Sequence, residues 1–531
     1  MSEKWVNKLK KQRRITILLT TITTLNVFHS QLGLFDIKAY FHREAEKLKN
    51  DVVFEVFVDI VNPKTKPNNS TNSFYPIFTK KEIENIAKGY LHKNPSIIGF
   101  SCFMWNMSHM LSIAKIIKKK HPDIKIIFGG PEVSYKAQEI LEQNEFVDIV
   151  AVNDGEESFF ELVQYYSLGV SDLSQIKGIV YRKNNVVITN QGRVTNLTNL
   201  PSPYLSGLID LTDRKKSYIV ETLRGCPFRC AYCSYHLGNY SQVRFFPIEK
   251  AAQEFKLLLK SNVPHLIVTD DNFNINEVRA IELLKTVIKF QKKTSIDVYL
   301  NIYIRRLGKE FLDLLSKTKI SLTIGIQTAN AATLERISRP AKIELLEENL
   351  LLLNNAHLPF ELQFIVGLPG DTYEDFVKNI EWGLRFHPHK ISFFTLSIIE
   401  GTKFYDKADE YKFSYIKYPP YTITKTPTFT PQQISKSKKI FDVVNIFYNL
   451  GLLRKTIVYM NEVLGINYYY IFENWRSFVS SKKLDKKKLY PLVLSFVTKV
   501  LMMKKMSLET NLHLFKLVED DFILYYKMHI K

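Results

Sequence analysis

The sequence predicts an α/β protein in three parts: a doubly wound parallel sheet, a partial (β/α)6 barrel and a mainly helical C-terminal region. With 531 residues the chain is too long for one compact core, so two or three domains are expected. Strand-like and helix-like segments alternate before and after a Pro/Ser-rich stretch at 199–207, and the alternation fades from about residue 406. Alternation of this kind indicates parallel strands that are covered by helices.

Residues 1–198 are expected to form the doubly wound sheet. Apolar strand candidates alternate with amphipathic helices, and the strand IKIIFGG (124–130) ends on paired glycines. A hairpin should follow, with its turn at Lys-Asn-Asn in 183–185. The short, Thr-rich apolar run near the N-terminus predicts a first buried strand and not a signal peptide. Residues 199–215 are interpreted as a linker.

Residues 216–405 predict the partial barrel, because six further strand candidates alternate with helices. In folds of this kind ligands bind at the C-terminal ends of the strands. The six candidates are 218–225, 264–271, 296–304, 321–327, 359–370 and 390–398. Residues 406–531 read as helices rich in Phe, Tyr and Lys. This tail is expected to cap the open barrel and shape a substrate pocket, the alternative being a packing element.

The net charge of +20 has two interpretations. It could mark a nucleic-acid or acidic-membrane partner, or reflect a Lys- and Asn-rich composition. The lysines are scattered and no Arg-rich tract occurs, which argues against a nucleic-acid partner. No stretch approaches 18 apolar residues without a charge, so no membrane span is expected. Four cysteines in so long a chain indicate a reducing interior, and hence a cytoplasmic location.

Three of the four cysteines lie within eight positions, as Cys226-x3-Cys230-x2-Cys233. A structural zinc site needs four ligands; His236 could be the fourth, but no second knuckle occurs. A catalytic dithiol would use only two cysteines. Three thiolates on one loop suit an iron–sulfur cluster with one iron left open for a substrate or cofactor. Cys102 lies apart and is interpreted as a buried small residue, with a reactive role as the alternative.

The pattern C-x3-C-x-aromatic-C after the first barrel strand resembles the radical S-adenosylmethionine (radical SAM) superfamily. The resemblance implies that Cys226, Cys230 and Cys233 hold a 4Fe–4S cluster, whose fourth iron is chelated by the amino and carboxylate groups of SAM. Reduction then cleaves SAM to a 5′-deoxyadenosyl radical that abstracts a hydrogen atom. Tyr232 is expected to contact the adenine, and a flavodoxin or ferredoxin is the implied reducing partner.

Further segments support the resemblance. Asp270 and Asp271 follow the second barrel strand, where the family binds the amino group of SAM, although the family has glycines in this motif. Gln327 ends the fourth strand and is implied as a hydrogen-bond partner of the SAM ribose or carboxylate. Arg339, expected in the following helix, could pair with the SAM carboxylate. Gly367 should allow a close approach of the backbone to the cofactor.

The N-terminal, Rossmann-like domain resembles the cobalamin-binding domains of cobalamin-dependent radical SAM enzymes. The resemblance rests on GFSCFMWN (99–106), IIFGGPEVS (126–134) and VNDGEESFFEL (152–162). It implies cobalamin contacts at Ser101, Gly129, Gly130 and Gly155. The motif Asp-x-His-x-x-Gly, which supplies a cobalt ligand elsewhere, is missing, and the nearest histidine, His29, has the wrong spacing. A remnant of the fold without cobalamin is therefore the alternative.

These features predict a cobalamin-dependent radical SAM enzyme that acts on a small-molecule or peptide substrate, with methyl transfer to carbon as the first choice. Rearrangement or cyclisation without methyl transfer is one alternative. A non-catalytic iron–sulfur or zinc protein that binds nucleic acid is another. Methylthiotransferases are excluded, because they need three more cysteines and only Cys102 remains.

Overall fold

The computed structural model describes residues 13–23, 31–48, 52–62, 77–170, 172–291, 296–305, 307–479, 489–504 and 507–529. His29 lies outside the described residues. Within them the chain forms two mainly parallel sheets and a helical tail, and the predicted fold class is confirmed.

The N-terminal sheet has seven strands in the order β2-β1-β3-β4-β5-β6-β7. The first five are parallel, and β6 and β7 are antiparallel additions at one edge. The strands are β1 (Arg13–Ile22), β2 (Val52–Val61), β3 (Ile97–Ser101), β4 (Lys125–Gly129), β5 (Ile149–Ala151), β6 (Ile179–Lys183) and β7 (Val186–Thr189). Asn184 and Asn185 join β6 to β7 with φ values of 50° and 62°. Two positive φ values are typical of a type I′ turn, and the predicted hairpin is confirmed.

Helices cover both faces of this sheet because its central strands are apolar on both faces. They are α1 (Leu32–Ala45), α2 (Lys80–Leu91), α3 (Met107–Lys120), α4 (Pro131–Ser134), α5 (Ala137–Gln143) and α6 (Glu156–Leu168). Leu18 packs in one core with α2 and α3, whereas the next residue, Leu19, packs in the opposite core with α1 and α6. Successive side chains of a strand point to opposite faces, so a doubly covered strand needs apolar residues at every position.

The second sheet contains six parallel strands in the order β15-β14-β13-β12-β11-β8, as expected for a partial barrel. They are β8 (Ser217–Val220), β11 (His265–Val268), β12 (Asp297–Asn301), β13 (Ile320–Gln327), β14 (Phe360–Val366) and β15 (Lys390–Thr395). Two short strands, β9 (Leu223–Arg224) and β10 (Arg244–Phe245), pair on either side of the cysteine segment. The helices are α7 (Ile248–Lys260), α8 (Glu277–Gln291), α9 (Lys309–Leu315), α10 (Ala331–Arg336), α11 (Ile343–Asn355), α12 (Tyr373–Leu384) and α13 (Lys403–Asp406).

The tail begins with a small hairpin and continues as helices. Its elements are β16 (Ser414–Tyr415), β17 (Ile423–Lys425), α14 (Pro431–Val444), a π-helical turn (Asn445–Asn449), α15 (Arg454–Glu462), α16 (Tyr468–Val479), α17 (Leu489–Lys504) and α18 (Leu508–His529). Helices α14 and α16 pack beside β15 and α12; for example, the ring of Phe441 lies 6.0 Å from that of Phe393. No helix in the described ranges is both long enough and apolar enough to cross a membrane.

Candidate active site

The three clustered cysteines lie on a loop at the C-terminal end of β8, the position expected for ligands in a barrel. The loop begins at Gly225, whose φ is +99°. A Cβ atom at this position would collide with the backbone oxygen of Gln242, so the residue before Cys226 has to be glycine. The N–H of Cys226 donates to the carbonyl of Tyr240 at 2.9 Å.

The middle of this loop is held by the backbone of Ala231, which is fully buried. Its N–H donates to the carbonyl of Ile337 at 2.9 Å, and its carbonyl accepts from the N–H of Phe404 at 3.0 Å. These partners follow the fourth and sixth barrel strands, respectively. The loop between Cys230 and Cys233 is therefore fixed by the barrel itself.

Each cysteine sulfur has a nitrogen donor beside it. Asn272 Nδ2 lies 3.5 Å from Cys226 Sγ, Arg339 Nη1 lies 3.6 Å from Cys230 Sγ, and the N–H of Tyr235 lies 3.4 Å from Cys233 Sγ. N–H groups aimed at sulfur stabilise thiolates and iron–sulfur clusters. The role of Asn272 as a sulfur partner was not foreseen from the sequence.

Burial raises the pKa of Cys226 to about 11 and that of Cys233 to about 12. These thiols stay protonated near neutral pH unless a cation stabilises the thiolate. Within the described ranges, no group of three His, Cys, Asp or Glu side chains is arranged to hold a single metal ion. A cubane cluster is wider than one ion, and its ligands stand further apart.

The two aspartates after β11 have different surroundings. Asp270 is fully buried; its Oδ1 accepts from the N–H groups of Thr222 and Leu223 at 2.7 and 3.1 Å, and its Oδ2 accepts from the Thr222 hydroxyl at 2.5 Å. Its side chain thus holds the chain just before the cysteine loop. Asp271 is half-buried and acts electrostatically on Cys226. Burial raises the pKa of both carboxyls to about 7.

Arg339 and Tyr232 lie beside Cys230, and Gln327 lies near Arg339 over Gly325. Gln327 sits at a bulge in β13 with a φ of +74°, and its side chain lies over Gly325. Arg339 Nη2 donates to the Gly325 carbonyl at 2.9 Å. Burial lowers the pKa of Arg339, but Tyr232 and Cys230 raise it by a larger amount. We expected Arg339 inside this helix, but it lies three residues beyond the end of α10.

Gly367 follows β14 with a φ of +87°. The side chain of Ile423, from β17 of the tail, fills the space that a Cβ atom would need. This glycine thus lets the tail hairpin pack against the barrel, and the predicted contact of Gly367 with the cofactor stays a prediction.

A first cavity of about 420 Å³ lies between the two sheets. Among its lining residues are all four predicted cobalamin contacts, namely Ser101, Gly129, Gly130 and Gly155. Ser234 and Tyr235 of the cysteine loop line the same cavity. Gly130 has a φ of +103°, and a Cβ atom there would lie 2.5 Å from the backbone oxygen of Cys102. Cys102 itself is fully buried in the core, in agreement with its interpretation as a packing residue.

A buried ionic cluster, which sequence analysis did not foresee, forms one wall of the first cavity. The guanidinium of Arg224 lies 2.8 Å from Glu156, 2.9 Å from Glu221, 3.2 Å from Asp154 and 3.7 Å from Asp36. Burial raises the pKa of Asp36 well above its usual value and also raises that of Glu221. Arg224 belongs to the barrel, and three of its partners belong to the N-terminal domain, so the cluster joins the two parts.

Two buried acceptors in the cavity wall have no hydrogen-bond donor among the residues that the structure describes. They are Asn153 Oδ1 and Glu156 Oε2, which flank Gly155. A buried acceptor without a partner is costly unless a ligand supplies a donor. The corrin ring of cobalamin carries carboxamide groups whose N–H atoms are such donors, and the cavity therefore fits this cofactor chemically.

Three family models match the chain. The model of the Radical SAM superfamily matches residues 220–383, the B12 binding domain matches 68–163, and a protein of unknown function (DUF4080) matches 409–529. The first two confirm the predicted pair of cofactor-binding domains. They also support the predicted cofactor set of a 4Fe–4S cluster, SAM and cobalamin.

Several curated proteins are similar in sequence. The cobalamin-dependent radical SAM methyltransferase TokK of Streptomyces tokunonensis is 26% identical over 324 residues, which are 57% of this chain and 47% of TokK. An uncharacterized methyltransferase of Pyrococcus horikoshii is 25% identical over 370 residues, or 66% of this chain and 79% of the relative. The match to TokK thus spans less than half of that protein's length.

Solved structures confirm the fold. The radical enzyme OxsB, solved with aqua-cobalamin and S-adenosylmethionine, aligns with a TM-score of 0.65 and 14% identity over 99% of this chain and 85% of OxsB. The methyltransferase TsrM from Kitasatospora setae aligns with a TM-score of 0.61 and 14% identity over 79% of each chain. The chain thus contains a domain that matches the Radical SAM superfamily and, ahead of it, a domain that matches the B12 binding domain, in a fold that it shares with these solved structures.

Proposed function

We propose that this enzyme is a cobalamin-dependent radical SAM methyltransferase that transfers a methyl group to carbon. The observation that carries the proposal is the shared cavity: Ser234 and Tyr235 of the cysteine loop line the same space as Ser101, Gly130 and Gly155. When bound, the cluster with SAM supplies a 5′-deoxyadenosyl radical, and cobalamin supplies the methyl group. TokK, named as a methyltransferase, supports this choice.

In this proposal Cys226, Cys230 and Cys233 hold the cluster, and the donors beside their sulfurs stabilise its negative charge. Asp271 accepts hydrogen bonds from the SAM ammonium. Its neighbour Asp270 orients the loop instead, because both of its oxygens are already engaged.

The remaining SAM contacts come from the group around Cys230. Arg339 pairs with the SAM carboxylate, since its guanidinium stands 3.6 Å from the sulfur of Cys230. Gln327 hydrogen-bonds the ribose or carboxylate, and Tyr232 contacts the adenine.

Cobalamin binds through the strand ends of the N-terminal sheet. Ser101 contacts the nucleotide tail from the end of β3, and Gly129, Gly130 and Gly155 let this tail approach the backbone closely because they have no Cβ atom. The unpartnered oxygens of Asn153 and Glu156 accept hydrogen bonds from corrin carboxamides.

Radical SAM enzymes need a reductant. For this chain a flavodoxin or ferredoxin is proposed, together with a small-molecule or peptide substrate and a cytoplasmic location, which suits four free cysteines. The end of β7 at Thr189 and the start of β8 at Ser217 support the proposed division of the chain. Its parts are 1–198, 199–215, 216–405 and 406–531.

The test is anaerobic reconstitution of the full chain with iron, sulfide and cobalamin. We expect a brown protein that retains corrinoid and forms 5′-deoxyadenosine from SAM on reduction. Cys226→Ala should lose both iron and SAM cleavage, whereas the matched variant Cys102→Ala should keep both. A colourless protein, or equal iron loss in both variants, contradicts the proposal. Tight, salt-dependent binding of DNA without SAM cleavage would favour the nucleic-acid alternative instead.

Cyclisation without methyl transfer is a second candidate. The anaerobic magnesium-protoporphyrin IX monomethyl ester cyclase of Cereibacter sphaeroides supports it, with 21% identity over 418 residues, 75% of this chain and 66% of the cyclase. SAM with an isotope label in its methyl group distinguishes the two. Methyl transfer moves the label to cobalamin and then to the product, whereas cyclisation leaves it in methionine.

A further inference from the structure

A second cavity, of about 600 Å³, lies beside the first. Its walls come from α3 and α5 of the N-terminal domain, the loop after β15, and the tail hairpin. We propose that this second cavity binds a flat aromatic molecule that carries no negative charge and is the substrate pocket of the enzyme. The assignment as substrate pocket rests on the function proposed above.

Aromatic rings from separate parts of the chain meet at this cavity. They are Trp105, Tyr405, Tyr415, Tyr418 and Tyr421. Met104 and Met107 add thioether groups to the same lining. A planar aromatic ligand can make stacking and edge-on contacts with such rings and further contacts with the thioether sulfurs. A saturated molecule of the same size cannot make these contacts.

Four charged side chains line the cavity, namely Lys136, Lys417, Glu139 and Glu400. Lys136 is already engaged by a carboxylate outside the lining, because its Nζ lies 2.7 Å from a Glu132 oxygen. Lys417 then stands against two carboxylates, so the lining carries an excess of negative charge and disfavours an anionic ligand.

The second cavity adjoins the first, because neighbouring side chains line the two. Phe103 lines the first cavity and Trp105 the second, and their rings stack with centroids 4.5 Å apart and planes 8° apart. Gly401 follows Glu400 of the second cavity, and a Cβ atom there would stand 3.1 Å from Leu237 of the cysteine loop. A molecule in the second cavity therefore lies next to the proposed cofactor site.

The tail hairpin holds the wall in place. The hydroxyl of Tyr421 donates to Glu132 at 2.5 Å and accepts from Lys136 Nζ at 2.6 Å. Both partners are buried or nearly so and belong to the N-terminal domain. The pocket is thus formed before any ligand arrives, as small-molecule pockets usually are.

The test is equilibrium dialysis of 2-naphthol against the full-length, cofactor-loaded chain without reductant. Decahydro-2-naphthol is the saturated control probe. We expect 2-naphthol to bind at least tenfold more tightly than the saturated probe. Trp105→Leu and Tyr405→Leu should each weaken naphthol binding at least tenfold, and Tyr405→Phe should restore it.

Tyr299→Leu is the matched control, because Tyr299 and Tyr405 are both 37% exposed and Tyr299 lies outside the cavity lining. It should leave binding unchanged. Equal affinity for the two probes, or unchanged affinity in both cavity variants, overturns the inference. Naphthol binding in a chain that does not cleave SAM refutes the proposed function alone. SAM cleavage in a chain that does not bind naphthol refutes this inference alone.

Discussion

Replacing Asp154 with asparagine is expected to break the junction between the N-terminal sheet and the cysteine loop. The Asp154 side chain is fully buried, and each of its oxygens has two donors. Oδ1 accepts from Arg224 at 3.2 Å and Tyr240 at 2.9 Å; Oδ2 accepts from Arg244 at 2.7 Å and the N–H of Thr195 at 3.2 Å. Burial opposes the charge, but Arg224 and Arg244 still hold the pKa of Asp154 below its usual value.

An asparagine amide fits this site in neither orientation, because its NH2 group would face a guanidinium either way. Removing one partner of a buried ion pair costs about 3–5 kcal/mol. We therefore expect Asp154→Asn to lower the free energy of unfolding by about that amount, measured by urea unfolding followed by circular dichroism. The control is Glu55→Gln, which removes an exposed ion pair with Arg14 and should cost at most about 1 kcal/mol. A loss below about 1 kcal/mol in Asp154→Asn would refute the reasoning.

Three further changes have defined outcomes. Gly130→Ala should destabilise the chain by about 2–4 kcal/mol and abolish corrinoid retention, because its φ of +103° and the nearby Cys102 backbone exclude a Cβ atom. Gly89→Ala, in open space on α2, should stabilise the chain by about 0.5–1 kcal/mol in the same urea assay, because alanine favours a helix over glycine. A lower free energy of unfolding in this variant would contradict that reason. Asp270→Asn should flatten the pH dependence of stability. A carboxyl whose pKa rises on folding binds more protons in the folded state. Its contribution to the free energy of unfolding is therefore full below its unfolded pKa near 4 and falls as pH rises through about 7. Between pH 4 and pH 8 the free energy of unfolding of the parent, measured in urea, should fall by up to about 4 kcal/mol more than that of Asp270→Asn. Parallel curves of unfolding free energy against pH would refute the raised pKa of Asp270.

The sequence was sufficient to predict the two sheets, because a doubly covered strand needs continuous apolar runs and a hairpin needs turn residues such as Asn184 and Asn185. The cysteine loop was predictable for a similar reason, since its three cysteines are local in sequence. The position of the first cavity agrees with both predictions, because the strand ends of parallel sheets carry the ligand-binding loops. Which residues there hold cofactors stays a prediction.

The ionic cluster could not be predicted in the same way. Asp154 and Arg224 are 70 residues apart and meet only when the two domains pack. The same holds for Tyr421, which meets Glu132 from 289 residues away. Gly367 shows the converse limit: a glycine at a strand end signals a close approach, but the sequence does not say whether a cofactor or Ile423 makes it.

The two backbone hydrogen bonds of Ala231 have a consequence for maturation. They anchor the centre of the cysteine loop to protein atoms alone, so the backbone of this loop is held in position without a bond to iron. Cluster insertion then requires side-chain adjustment and loss of thiol protons, without refolding of the peptide. Iron-free and iron-loaded forms should accordingly exchange the Ala231 amide hydrogen at similar, slow rates.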